Sequence, residues 1–107
     1  MGLFRRKRGN TADAPDRREA AAAAAHLGAF AESRKGVEAF IEPVTAISGT
    51  TVVFVADTGE WTRRRVADPG AARALGRKLG VPVYEAALVG YPKRMREWTR
   101  RQSDGTA

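Results

Sequence analysis

One hairpin in the middle of the chain limits the fold more than any other feature. Residues 50–56 read Thr-Thr-Val-Val-Phe-Val-Ala, the strongest run of β-branched and aromatic side chains in the sequence. Asp57-Thr58-Gly59 follows as a tight loop in which Gly59 is free to take a positive φ, and residues 60–66 (Glu-Trp-Thr-Arg-Arg-Arg-Val) return as the partner strand. In the register that sets Ala56 against Glu60, Val55 lies opposite Trp61 and Val53 opposite Arg63. Side chains alternate along a strand, so Trp61, Arg63 and Arg65 share one face of this sheet while Thr62, Arg64 and Val66 share the other.

The remaining segments attach to that hairpin. Residues 37–47 alternate, with Val37, Ala39 and Ile41 opposite Glu38, Phe40 and Glu42, and Pro43 marks an edge or a bulge. Residues 13–35 are expected to form an alanine-rich helix: Asp13 as N-cap, Pro15 in the first turn, Asp16 at the positive end of the dipole, a stripe of Ala23, Leu27, Phe30 and Arg34, and Gly36 as the stop. Residues 68–80 give the clearest helical signal, with Asp68 capping, Pro69 starting, Ala71, Ala72, Leu75 and Leu79 on one face, and Gly80 ending it. Residues 81–89 read as a fourth strand, and Gly90-Tyr91-Pro92 turns the chain into a short final helix. The order is α-β-β-β-α-β-α, an α+β domain with a small, mainly antiparallel four-stranded sheet and packed helices. Its parts are a disordered basic arm (1–12), the helix 13–35, the α+β domain 36–101 and a disordered polar tail (102–107).

The chain has 107 residues and a net charge of +7, but the charge is unevenly placed. Residues 1–12 carry +4 through Arg5, Arg6, Lys7 and Arg8, residues 93–107 carry +3, and everything between is neutral. A basic balance points to nucleic acid or an anionic surface, and here it points to the two ends. Arginine outnumbers lysine 15 to 4, which favours bidentate phosphate recognition, although the excess of alanine, arginine and glycine is also what a GC-rich genome produces. The basic start, the apolar run 20–31 and Ala29-Phe30-Ala31 imitate an exported protein's leader. Asp13, Asp16 and Glu19 precede that run, however, so the expected location is cytoplasmic.

With no cysteine and a single histidine, a disulfide framework, a cysteine-based zinc or iron–sulfur site and a thiol nucleophile are excluded. The sequence has no nucleophile elbow, P-loop, dinucleotide fingerprint or zinc-protease motif. His26 sits between Ala25 and Leu27 with no acid to complete a triad, and Glu38 and Glu42 read as a charged strand edge rather than an acid/base pair. No catalytic residue, cofactor, metal or small-molecule substrate is expected.

Two features point to binding. On the hairpin, Trp61 between Arg63 and Arg65 suits base stacking with phosphate neutralisation; the competing expectation buries Trp61 under the N-terminal helix with the arginine stems at its rim. At the end of the chain, residues 91–101 form a basic amphipathic helix. Tyr91, Met95 and Trp98 make its apolar stripe, while Lys93, Arg96 and Arg100 lie opposite with Arg94 and Arg101 on the flank. The first expectation is a non-enzymatic module for an anionic partner, RNA or a ribonucleoprotein such as the ribosome, through Trp61, Arg63, Arg65, Lys93, Arg96 and Arg100. The second is a protein-interaction or homodimer module in which Tyr91, Met95 and Trp98 enter a partner. The helix could also lie on an anionic membrane, helped by Leu3 and Phe4, but contact with a membrane surface is not the expectation.

The segments 52–56 (Val-Val-Phe-Val-Ala), 59–66 (Gly-Glu-Trp-Thr-Arg-Arg-Arg-Val), 80–84 (Gly-Val-Pro-Val-Tyr) and 89–95 (Val-Gly-Tyr-Pro-Lys-Arg-Met) resemble a family of small actinobacterial proteins of unassigned function. Some members carry a bare oxidoreductase label, which implies a redox-associated role as a third alternative. The resemblance carries over no catalytic residues, and no flavin, nicotinamide or thiol signature accompanies it here. The initial α-β-β-β-α order is also similar to that of double-stranded-RNA-binding domains. Their second helix opens on a lysine cluster where this chain has Asp68-Pro69-Gly70, so that likeness is one of topology.

Overall fold

The computed structural model describes residues 13–105; the basic arm expected at 1–12 and residues 106–107 lie outside the described residues. The chain runs α1 (Arg17–Ser33), β1 (Glu38–Ile41), β2 (Thr50–Val55), β3 (Trp61–Val66), α2 (Pro69–Leu79), β4 (Val83–Glu85), α3 (Ala86–Val89) and α4 (Lys93–Gly105). This is an α+β domain with a four-stranded sheet in the order β3-β2-β1-β4. The hairpin has the expected register, with Val55 opposite Trp61 and Val53 opposite Arg63. Two pairings are antiparallel, but β4 lies parallel to β1, so the sheet is mixed. The reason is α2. It carries the chain from the β3 edge across one face to the opposite edge, and such a crossover delivers a strand parallel to the one it left.

Both faces of the sheet are covered. Under α1 and α2 lie Leu27, Phe30, Ala39, Ile41, Val52, Phe54, Val66 and Ala72. On the opposite face Phe40, Val53, Val55, Ala86 and Met95 form a smaller core with Trp61 and Tyr91 against it. Double coverage explains why 52–55 is an unbroken apolar run, since every one of those side chains is buried.

Local chemistry fixes the element ends. Helix α1 starts later than expected because Asp16, not Asp13, caps it. Asp16 accepts from the Glu19 amide at 2.8 Å and the Glu19 carboxylate accepts from the Asp16 amide at 3.0 Å, a reciprocal capping box. Helix α2 has the expected Asp68 cap, accepting from the Ala71 amide at 2.8 Å. A side chain at Gly76 would put its Cβ 2.2 Å from Val83 Cγ2, so the glycine lets α2 settle directly on β4. The stretch 81–89 is not one strand. Pairing with β1 stops at Glu85, and Ala86–Val89 closes a helical turn through the Gly90 amide bonded to the Ala86 carbonyl. Helix α4 continues to Gly105, so the expected disordered tail from 102 is helical over its first four residues.

Candidate nucleic-acid interface

At Trp61 the odd-numbered face of β3 is covered by α4, not by the N-terminal helix. Trp61 is half-buried there, and its indole Nε1 donates to Thr99 Oγ1 at 2.9 Å. Strand alternation is the cause: the even face, with Thr62 and Val66, meets α1 and α2, and the odd face is left to α4. Trp61 is thus neither an open stacking platform nor a residue under α1.

Arg63 is committed to an intramolecular ion pair, although its side chain stays partly open to solvent. Its Nε and Nη2 donate to the two carboxylate oxygens of Glu42 at 2.8 and 2.9 Å, and its guanidinium lies 5.2 Å from the Trp61 ring centroid. Glu42 also accepts from Thr51 Oγ1 at 2.6 Å and from the Tyr91 hydroxyl. Burial alone would push this carboxyl up. The donors from Arg63, Thr51 and Tyr91, with the Arg63 charge, outweigh burial and hold it at about 2, against an ordinary 4.5. Burial, and then the bond to Glu42, raise the Tyr91 phenol in turn. A carboxylate held this firmly ionised cannot act as a general acid near neutrality. Glu42 joins β1, β2, β3 and the approach to α4, and nothing in its local sequence announces that role. Glu38 is similarly engaged, accepting from Arg94 Nη2 at 2.7 Å while Arg94 Nε donates to the Ala56 carbonyl at 2.9 Å.

The apolar stripe of α4 faces its own sheet. Met95 is buried, and Tyr91 and Trp98 are half-buried. The hairpin loop meets α4 backbone to backbone. Gly59 has φ +96°, and a Cβ there would stand 2.0 Å from the Arg94 carbonyl oxygen and 2.9 Å from Trp98 Cβ. Freedom at φ was legible in the turn, whereas the close approach depends on where α4 docks.

The other expected contacts remain outside. Lys93, Arg96 and Arg100 are exposed along the outer face of α4. Lys93 makes a long 3.8 Å ion pair with Glu97, whereas Arg96 and Arg100 make no ion pair among the described residues. Arg101, on the flank, donates to the Thr58 carbonyl at 3.2 Å. Arg65 lies at the far end of β3, its Nη2 donating to the Asp13 carbonyl at 2.8 Å. The structure therefore separates the nine predicted residues into three groups: Trp61, Arg63, Tyr91, Met95 and Trp98 at the α4–sheet junction, Lys93, Arg96 and Arg100 on the outer helix face, and Arg65 apart.

The sequence offers His26 no acid for a triad, and the structure gives it other partners. Its Nε2 lies 2.7 Å from Thr62 Oγ1 and its Nδ1 3.3 Å from Arg64 Nη2. The lone signal in the sequence was the even-face position of Thr62 and Arg64, which turns them toward whichever helix covers that face.

Among the described residues no helix is long and apolar enough to cross a membrane, and no group of three or more His, Cys, Asp or Glu side chains could hold a metal ion. No protein-family model, curated protein or solved structure matches the chain.

Proposed function

We propose that this chain is a small cytoplasmic, non-enzymatic binding module for an anionic partner, RNA or a ribonucleoprotein, and that the outer face of α4 makes the contact. One observation carries the reading. Arg34, Arg63, Arg73 and Arg94 are each bonded to a carboxylate at 2.7–2.8 Å, while Arg96 and Arg100 face solvent with no carboxylate partner among the described residues. Guanidinium groups without a carboxylate partner on one exposed helix face, beside Lys93 and Arg101, can turn to phosphates in bidentate contacts, Arg96 giving up only a long 3.4 Å bond from Nη1 to the Tyr91 carbonyl. Compared with the expectation from sequence, which used the hairpin face and the helix together, the contact narrows to the helix. Trp61 and Arg63 become supports that set the height and direction of α4. The reading keeps the chain within the actinobacterial family that its hairpin and its 80–95 segments resemble.

Tyr91 and Met95 pack on the chain's own sheet and Trp98 lies over its hairpin loop, so a partner-inserting or homodimeric role for them requires α4 to leave its place. No observation favours that state over the docked one.

The test is a salt series of binding to single-stranded RNA, using the full chain, a chain lacking residues 1–12, and Arg96→Glu/Arg100→Glu. Loss of two phosphate contacts should lower the log–log salt slope by about 1.4 for a single strand, and weaken binding uniformly across sequences. Full binding by the double variant, or binding that disappears with residues 1–12 alone, would defeat the reading.

A further inference from the structure

A second cationic site lies on the other side of the molecule. Between α1 and the outer edge of β3 runs a shallow cleft of about 460 Å³, with Ala22 and Ala23 as its floor and Glu19, His26, Arg64 and Arg65 around it. No residue of α4 lines it, so it stands or falls independently of the RNA reading above.

Hydrogen-bond chemistry fixes the state of the cleft. A guanidinium has no acceptor, so in the Arg64–His26 contact the ring Nδ1 must accept. His26 is therefore neutral, its proton is on Nε2, and that N–H donates to Thr62 Oγ1 at 2.7 Å. Arg64 Nη1 also donates to the Arg63 carbonyl at 2.7 Å and to Thr62 Oγ1 at 3.3 Å. Among the described residues, Nε–H and one hydrogen of Nη2 then have no acceptor. Neither Arg64 nor Arg65 makes an ion pair among the described residues. The one carboxylate in the cleft, Glu19, is held by the Asp16 amide at the start of α1.

We infer that this cleft is a binding site for a phosphate group, held by the guanidinium groups of Arg64 and Arg65 beside the His26 ring. The site has open donors on Arg64, two guanidinium groups with no ion-pair partner among the described residues (Arg65 Nη2 donates to the Asp13 carbonyl at 2.8 Å), a floor of small side chains that allows close approach, and a ring nitrogen that becomes a further donor on gaining a proton. The local potential agrees with this. Burial first, then the charges of Arg64 and Arg34, lower the His26 pKa from 6.5, and Arg34 is itself paired with Glu60 at 2.8 Å. A bound phosphate anion opposes that positive field and favours the protonated ring.

His26 is the chain's single histidine, so its ring protons report the site without ambiguity. The experiment is an NMR pH titration of the full chain in sodium chloride, in inorganic phosphate at matched ionic strength, and with a short oligouridylate lacking terminal phosphates. Phosphate should raise the His26 midpoint by about half a pH unit or more, a roughly threefold gain in proton affinity. In Arg64→Ala the midpoint without phosphate should already be higher, because a repelling charge is gone, and phosphate should no longer move it. Arg64 is exposed, so this variant is expected to fold. A response to inorganic phosphate alone identifies a free phosphate or monoester as ligand, and a response to both probes adds the phosphodiester backbone. An unchanged midpoint with both probes, or a response that survives in Arg64→Ala, overturns the site.

Discussion

The two faces of the sheet are held by different physics. Beneath α1 and α2 the contacts are aliphatic and aromatic: Leu27, Phe30, Val52 and Phe54 are each at most 4% exposed, and both helices carry side-chain N-caps. On the other face the apolar core is smaller, and polar contacts help fasten α4: Glu42 with four donors, Arg94 on Glu38 and the Ala56 carbonyl, and Trp61 on Thr99. Apolar burial responds weakly to pH and salt, whereas ionised contacts respond strongly. The comparison teaches that α4, which displays exposed arginines without carboxylate partners, is attached by the more condition-dependent of the two faces. Both of the chain's tryptophans, Trp61 and Trp98, lie at that junction, so their fluorescence reads α4 docking while far-UV circular dichroism follows the whole fold.

The largest effect is expected on the apolar face. Leu27 is fully buried, and Leu27→Ala should cost about 3–5 kcal/mol through lost transfer energy and the cavity left behind. Urea unfolding followed by fluorescence and by dichroism should shift together, because the sheet itself is weakened. A shift of fluorescence alone would break the comparison.

Gly59→Ala should come next, at about 2–4 kcal/mol, from a positive φ combined with a Cβ driven into the Arg94 carbonyl. Here the two probes should separate: tryptophan emission should move to the red at lower urea than the loss of ellipticity. Coincident transitions would show that α4 is as integral to the fold as α1.

Acid offers a sharper cut. The folded-state pKa of Glu42 lies below its ordinary value, so its stabilisation is complete above about 4.5 and is lost as pH falls toward 2. Arg63 is about half exposed, and with screening allowed for, the loss should be about 2 kcal/mol. Glu42→Gln should remove most of that dependence, leaving tryptophan emission nearly flat over the same range. A wild-type curve that is itself flat between pH 5 and 2 would show that the carboxylate does little to hold α4.

What could be read from the sequence follows from how far each interaction reaches along the chain. The hairpin register, the Asp68-Pro69 start of α2 and the stripes Ala23-Leu27-Phe30 and Tyr91-Met95-Trp98 depend on neighbours a few residues apart, and the structure has them. The Asp16–Glu19 capping box was equally local, but the earlier Asp13 concealed it. The parallel placement of β4 was not legible, because it depends on the path of α2 across the sheet. Nor was the covering of Trp61, since alternation divides a strand into two faces without saying which helix takes each. The donors to Glu42 lie 9, 21 and 49 residues away, and His26 meets Thr62 across 36. Such sites come into being only once the layers are stacked.

The smallest predicted effect tests a single bond at the junction. Trp61 Nε1 donates to Thr99 Oγ1, and an indole N–H has no alternative role as an acceptor. Thr99→Val keeps the shape and removes the oxygen, leaving a half-buried donor that water satisfies only in part. The cost should be about 1 kcal/mol, a few degrees in the thermal midpoint. It should appear as loosening around Trp61, with emission shifted to the red and dichroism unchanged. If the bond sets the height of α4 above β3, the same variant should weaken RNA binding modestly while leaving the salt slope intact, because no phosphate contact has been removed. A changed slope would mean that Thr99 or Trp61 meets the ligand directly, and would return the contact to the hairpin face.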